Sequence, residues 1–255
     1  SVYRGGTGVG SYDELRAALG VSDKRTARLV VGSLAAGWTA DDCDYLCDGT
    51  DDQAEIQAAV NAMPEWGGEV AILDGTYNIT AGVLIKRANI TLSGSGSGTV
   101  LRRVVGDIFS SFPVISVAFN ASDPPDNCHI RDLTIDGNKS NCKHATSFGI
   151  DVDDQTDGCR ITNVICCDHT ADGIRAHSAI VTNCICNGND RYGIYATGRT
   201  IISNNICSDN GETGIKMGTG GSGGIIVGNI CKGNATSGID AQGTAIIEMG
   251  NLTLD

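Results

Sequence analysis

Seven side chains able to bind charge or move protons stand at one place in a repeated unit. Each follows a Gly-Ile pair. Asp151 and Asp153 follow Gly149, Arg175 and His177 follow Gly173, Tyr195 follows Gly193, Lys216 follows Gly214, and Asp240 follows Gly238. These pairs fall at steps of 24, 20, 21 and 24 residues. If the isoleucine points inward on a strand, the next residue points outward and alternation continues. Asp151, Arg175, Tyr195, Lys216 and Asp240 then stack in one outer column, with Asp153, His177, Thr197 and Gln242 beside them.

Two chemistries fit these residue types. In β-elimination, Arg175 or Lys216 neutralises a uronate carboxylate while His177 or Tyr195 moves protons. In hydrolysis, Asp151 and Asp153 act as paired carboxylates. Two residues apart on a strand, their Cα atoms lie roughly 6.6 Å apart, near the ~6.5–9.5 Å carboxyl spacing of inverting glycosidases. Asp240, four turns away at about 19 Å, is too far to pair with Asp151. We therefore assign Asp151, Asp153, Arg175 and His177 to catalysis and Tyr195, Lys216 and Asp240 to substrate binding. The competing reading is an ordinary charged face, in which Asp151 over Arg175 contributes only about 0.2–1 kcal/mol.

The elements that must position this column are written into residues 159–255 as one short unit repeated four times, with a fifth begun. The units start CRITNVICCDH, AIVTNCICNGN, TIISNNICSDN and GIIVGNICKGN, and the stretch from CHIRDLTIDGN to GIDVDD is a looser earlier copy. A fixed period of this kind marks a solenoid. Each unit holds three short β-branched runs broken by Asn, Gly and Asp, too short for helices. Three strands per turn predict an all-β, single-stranded right-handed parallel β-helix, with turns about 4.8 Å apart. Ile161, Val181, Ile202 and Ile226 form one inward column. Ile150, Ile174, Ile194, Ile215 and Ile239 form a second, and Cys166, Cys186, Cys207 and Cys231 a third. Asn205 and Asn229 fall at a corner that tolerates left-handed geometry. Val164 and Cys184 fill that corner in other turns, so the expected Asn ladder is broken.

The chain has 255 residues and 11 cysteines, and its formal charge is −12. That charge argues against nucleic acid or an anionic membrane as partner. No apolar run reaches membrane-spanning length, and no secretory leader is seen at Ser1. Cysteines recurring once per turn at an inward position act as small hydrophobes. Free buried thiols, assembled in a reducing cytosol, are expected. Cys43 and Cys47, beside Asp42, Asp44 and Asp48, leave open a disulfide or half of a metal site. No second half is visible, so neither metal nor cofactor is assigned. Sequons such as those at Asn78, Asn89 and Asn234 are what chance gives in a chain rich in Asn and Thr.

Residues 1–40 read as a linker and small helix, and 41–255 as the β-helix domain. Ser11 and Glu14 form a capping-box pattern ahead of Leu15, Ala18 and Leu19, with Gly20 as the stop. Ile56, Val60 and Met63 give a second helical stripe, with Asp51 or Asp52 as its N-cap. Asp48, Asp51 and Asp52 are read as turn and cap residues in preference to a metal cluster. Phe109, Phe112, Phe119 and the Pro124-Pro125 pair mark a longer loop over 103–127. Asn138 to Phe148, with Lys139, Lys143 and His144, marks another.

Two resemblances follow. Gly5-Gly6-Thr7-Gly8 with Glu14, Arg16, Leu19 and Gly20 resembles a short module of bacteriophage tail fibres and baseplate proteins. Over residues 41–255, D-G-T-D-D-x-x-x-I-Q-x-A-V at Asp48 to Val60 resembles the pectate-lyase-like superfamily, in the branch that includes phage tailspikes. G-G-x-V at Gly67, G-T-Y at Gly75, I-T-L-x-G-x-G at Ile90 and L-T-I-D-G-N at Leu133 carry the same resemblance. It implies a capping helix on the open end of the solenoid, where strand edges are otherwise exposed. It also implies a tail-associated protein that contacts host cell-surface polysaccharide and resides in the virion tail after assembly in the bacterial cytoplasm. Homotrimers and neighbouring tail or baseplate proteins are the partners so implied. The alternatives are a polysaccharide lyase or glycoside hydrolase, free, secreted or as a spike depolymerase, and a spacer with no ligand.

Overall fold

The structure is a computed structural model describing residues 27–104, 111–117, 124–142, 147–219 and 223–254. Its strands stack into three parallel ladders. The first runs from Arg28–Ser33 through Gly68–Ile72, Ile90–Ser93, His129–Asp136, Arg160–Cys167, Ile180–Thr182, Ile201–Ser203 and Ile225–Val227 to Ile247–Met249. The second starts at Gly75–Ile79 and Thr99–Arg103 and shares the two long strands His129–Asp136 and Arg160–Cys167. It continues through Ile185–Asn187, Ile206–Ser208 and Ile230–Lys232 to Leu252–Leu254. The third comprises Val83–Ile85, Phe112–Val117, Ser147–Val152, Ile174–His177, Ile194–Thr197, Thr213–Met217 and Ser237–Ala241. One strand per ladder per turn is the three-strand coil that the repeats predict.

The predicted inward columns form in register. Ile161, Val181, Ile202 and Ile226 align and are fully buried. Ile150, Ile174, Ile194, Ile215 and Ile239 align, with only Ile239 partly exposed. Cys166, Cys186, Cys207 and Cys231 align and are buried. None of the eleven cysteines forms a disulfide, and all but Cys43 and Cys167 are buried.

The corners differ from the expectation. The left-handed residues are Asn163, Asn183 and Asn204, then Gly228 and Gly250. Asn205 and Asn229, one position later, point into the core and are fully buried. Each backbone N–H in this column donates to the next turn's side-chain oxygen: Cys184 to Asn205 (2.9 Å), Asn205 to Asn229 (2.9 Å) and Asn229 to Asn251 (3.0 Å). The ladder is therefore continuous over Asn205, Asn229 and Asn251, and Val164 and Cys184 extend it as apolar rungs. A second ladder, unforeseen, runs through Asn189, Asn210 and Asn234 at the other corner. A buried amide that donates and accepts within such a stack leaves no polar atom stranded.

The helix α1, Gln53–Ala62, buries Ile56, Ala59 and Val60 against the first turn. Asp52 takes the N-cap position but makes no capping bond to the helix. Its carboxylate instead accepts the N–H groups of Gly49 and Asn78, both at 2.7 Å. Asp48 accepts the Thr50 N–H at 2.8 Å, and Asp51 accepts the Thr80 hydroxyl. The strand Arg28–Ser33, ahead of position 41, pairs with Gly68–Ile72 and with Tyr45–Cys47. Residues 28–40 thus carry part of the sheet. The helix and glycine-rich module expected over 5–20 lie outside the described residues. Within the expected loop at 103–127, Phe112–Val117 is a strand of the third ladder, while Phe109 and Phe119 lie outside the described residues. Among the described residues no helix is long and apolar enough to cross a membrane.

Candidate functional site

The outward column assembles on the third ladder. Asp151 pairs with Arg175, Arg175 with Tyr195, Tyr195 with Lys216 and Lys216 with Asp240, while His177 pairs with Thr197. Buried isoleucines on the same strands hold these side chains outward. Asp151, Asp153, Arg175, His177, Tyr195 and Thr197 line one cleft of about 270 Å³. Lys216 and Asp240 stand apart from it. The Lys216 ammonium is bonded to the Asp240 carboxylate, which also accepts Gln242 Nε2 at 3.2 Å.

Arg175 is the hub. Its Nη1 lies 3.9 Å from Asp151 Oδ2, and its Nε lies 3.5 Å from Asp172 Oδ2. The guanidinium sits over the Phe148 ring at 4.8 Å and the Tyr195 ring at 5.6 Å. Asp172 is buried and also faces Arg191 Nε at 3.7 Å. Tyr195 stacks on Tyr192 with centroids 5.7 Å apart, and Arg191 lies over Tyr192 at 4.7 Å. Two arginines thus share one buried carboxylate as their anchor, and three rings lie against their guanidinium groups. Reading only the residues after each Gly-Ile pair misses Phe148, Asp172, Arg191 and Tyr192. They stand just before those pairs, and that position was the available signal.

The electrostatics suit proton transfer. Burial raises the Asp151 carboxyl above the ordinary range, opposed by Arg175 and aided by the nearby Asp153 charge. Burial likewise raises Asp172, opposed chiefly by Arg191. His177 Nδ1 is 2.8 Å from Thr197 Oγ1. In the tautomer in which Nδ1 donates to that hydroxyl, Nε2 is left as an acceptor. Asp153 caps a turn: its carboxylate accepts the Gln155 N–H at 3.3 Å and its carbonyl the Thr156 hydroxyl at 2.9 Å. Gly218 leaves room for Tyr195, because a Cβ there would lie 2.6 Å from the phenol oxygen. A carboxylate-binding cation, a positioned imidazole, a phenol and a raised carboxyl can together bind an acidic sugar and move its protons.

A second cleft, of about 610 Å³, lies at the corner that closes the second ladder. Its Arg102 is paired with Asp136 at 2.8 Å and its Lys139 with Asp190 at 2.9 Å. Asp136, Cys167 and Asp168 offer ligand atoms within 4.8 Å of one another, as do Cys47, Asp52 and Glu55. Asp136 and Asp52 already serve backbone amides there.

Comparison with known proteins agrees with the fold. The mannuronan C5-epimerase AlgE1 of Azotobacter vinelandii is 26% identical over 223 residues, which is 70% of this chain and 16% of AlgE1. AlgE2 of the same organism is 26% identical over 225 residues, 71% of this chain and 22% of AlgE2. The chain thus spans under a quarter of either. Among solved structures, Geobacillus virus E2 ORF18 aligns with a TM-score of 0.70 at 18% identity, covering 93% of this chain and 50% of that one. The AlgE4 A-module of Azotobacter vinelandii aligns at 0.60 and 21%, covering 86% and 76%. An alginate lyase from Paenibacillus aligns at 0.62 and 16%, covering 88% and 75%. The model of the right-handed beta helix region matches residues 116–254. By that match and by its three parallel ladders, the chain belongs to the right-handed β-helix family.

Proposed function

We propose that the chain binds a uronic-acid polysaccharide in the Asp151–Tyr195 cleft and removes the C5 proton of the bound uronate. The observation that carries this reading is Arg175, held between two carboxylates and two rings within a cleft that also contains His177. Arg175 neutralises the sugar carboxylate, which acidifies the neighbouring C5–H. Lys216 is the weaker choice because it lies outside the cleft and its ammonium is in direct contact with Asp240, whereas Arg175 lines the cleft and stands 3.5 and 3.9 Å from its two carboxylates. His177 Nε2 takes the proton as general base. If Tyr195 or protonated Asp151 returns a proton to C5, the sugar is epimerised. If the C4–O bond breaks as C4=C5 forms, the acid protonates the departing oxygen and the chain is cleaved without water. The names of the relatives, C5-epimerases and an alginate lyase, accord with this chemistry.

The finer placement is a phage or prophage tail. Residues 5–20 and the Asp48–Val60 motif support it, as do the viral neighbours ORF18 and phi29 gene product 12. In that setting the chain contacts host surface polysaccharide, three copies lie side by side, and other tail proteins adjoin. A secreted bacterial enzyme is the competing location.

The test is deuterium exchange at C5 of polymannuronate and related polyuronates in D2O, followed by NMR, with ultraviolet absorbance reporting any unsaturated product. Exchange lost in His177→Ala supports the reading. Binding without exchange reduces the protein to a glycan-contacting surface, and neither binding nor exchange leaves the spacer.

A further inference from the structure

The cleft of about 610 Å³ at the corner of the second ladder is lined by polar residues throughout, among them Asp136, Asn138, Lys139, Ser140, Asp168 and Asp190. Sites for apolar small molecules are lined mostly by apolar side chains, so this cleft suits a hydroxyl-rich ligand. Its polar lining is confined to particular turns. The corner position held by Thr170 and Asp190 is Gly211 and Ala235 in the next two turns. The turns of Thr170 and Asp190 are those that bring Arg175, His177, Tyr195 and Thr197 to the first cleft. Thr170 precedes Arg175 by five residues, and Asp190 precedes Tyr195 by five. The two clefts are therefore separated by at most about 18 Å along each segment, and Arg191 and the half-buried Tyr192 lie between them in the chain.

We infer that this second cleft holds an uncharged sugar of the same glycan whose uronate sits at Arg175, so that the substrate is a heteropolysaccharide of uronate and neutral sugars. The inference rests on the uronate reading of the first cleft for the shared polymer, but not for the sugar site itself. A uronate is the wrong occupant here. Arg102 is hydrogen-bonded to Asp136 at 2.8 Å, and Lys139 to Asp190 at 2.9 Å and to the Gly188 carbonyl. Arg175, by contrast, stands no closer than 3.5 Å to its carboxylates. Asp168 has no ion-pair partner among the described residues, so it repels a second carboxylate and accepts a hydroxyl. A metal ion is disfavoured because Asp136 already accepts the Asn138 N–H and the Arg102 Nε–H, both at 2.8 Å. Carboxylates fixed by their cations keep lone pairs for sugar hydroxyls, and their fixed geometry lowers the entropy cost of binding.

Calorimetric titration of the full chain at one ionic strength compares two octasaccharides, one of mannuronate alone and one alternating glucuronate with N-acetylglucosamine. The alternating chain should bind about tenfold more tightly. Asp168→Gly should abolish that gain and leave mannuronate binding unchanged. Gly188 and Gly233 hold the same corner position at φ 66° and 63°, where Asp168 has 56°, so this variant keeps the backbone conformation. Should it not fold, Ser140→Leu, at an exposed position on the cleft wall, obstructs the cleft and takes its place. Affinity for the alternating chain no greater than for mannuronate, or a variant that weakens both alike, overturns the inference. If neither octasaccharide binds, the uronate reading of the first cleft has failed, and saturation transfer from the protein to an N-acetylglucosamine tetramer decides. Transfer that is lost in the variant supports the sugar site, and its absence from the unmodified protein overturns it.

Discussion

His169 heads the second asparagine ladder in place of an asparagine, and this gives a sharp pH prediction. In the repeats it aligns with Asn189, Asn210 and Asn234, and its backbone N–H donates to Asn189 Oδ1 at 3.1 Å as theirs do down the stack. Its ring is fully buried, with Nδ1 3.0 Å from Ser147 Oγ and no hydrogen-bond partner for Nε2. Burial pulls its pKa down to about 4. The Ile135 carbonyl and Asp136 oppose that shift, whereas Arg103 and Lys139 add to it. An unfolded histidine titrates near 6.5. Between those values the unfolded chain binds the extra proton, so stability is full above about pH 6.5 and falls as pH drops towards 4. The complete loss is about 3 kcal/mol, of which about 2 to 3 is reached by pH 4.5. His169→Asn should remove this dependence, because an amide can take up the bonds of the rungs below. Its stability near neutrality should lie within about 1 kcal/mol of the parent, the new amide bonds offsetting the smaller volume. Urea unfolding followed by circular dichroism at about pH 7.5 and about pH 4.5 measures the difference. Raised carboxyls such as Asp151 and Asp172 titrate in both proteins and cancel. Equal losses of stability on acidification in parent and variant would refute the reasoning.

Three further outcomes are expected. Asn210→Ala removes an amide that donates to Cys186 O and Asn234 Oδ1 and accepts from Asn189. The groups stranded inside should cost about 3 kcal/mol or more by denaturant midpoint, whereas Asn251→Ala at the partly exposed end of the other ladder should cost about 1. Gly218→Ala should cost about 1 kcal/mol, since the Tyr195 ring must swing away and Thr197 Cγ2, 3.3 Å from the new Cβ, must give slightly. It should nevertheless slow C5 exchange, and an unchanged rate would remove Tyr195 from the chemistry. Asp172→Asn removes the charge shared by Arg175 and Arg191. Although this leaves Arg175 with more free positive charge, losing the carboxylate that orients its guanidinium should weaken polyuronate binding by about tenfold, or roughly 1.4 kcal/mol, and tighter binding in the titration would refute the positioning role.

The ladders, the inward columns and the outward order of Asp151, Arg175, Tyr195, Lys216 and Asp240 were legible because strand alternation is local and the turn repeats it. Thiols at a position shared by four turns likewise told of burial before any coordinate did. The cleft's boundary was not legible. Lys216 and Asp240 share its column, yet each satisfies the other, and a residue type does not say whether its charge is spent. Phe148, Asp172, Arg191 and Tyr192 enter from the corners before the strands, where the path of the chain, not alternation, sets direction. The asparagine ladders were not legible for the same reason. Whether an amide turns outward at a bend or inward beneath it depends on which residue takes the left-handed conformation, and here that is the residue before Asn205 and Asn229. Period and alternation, being local, thus determined the solenoid and its core. Tertiary structure decided which charges remain free and which polar groups stack, because both depend on partners one or more turns away.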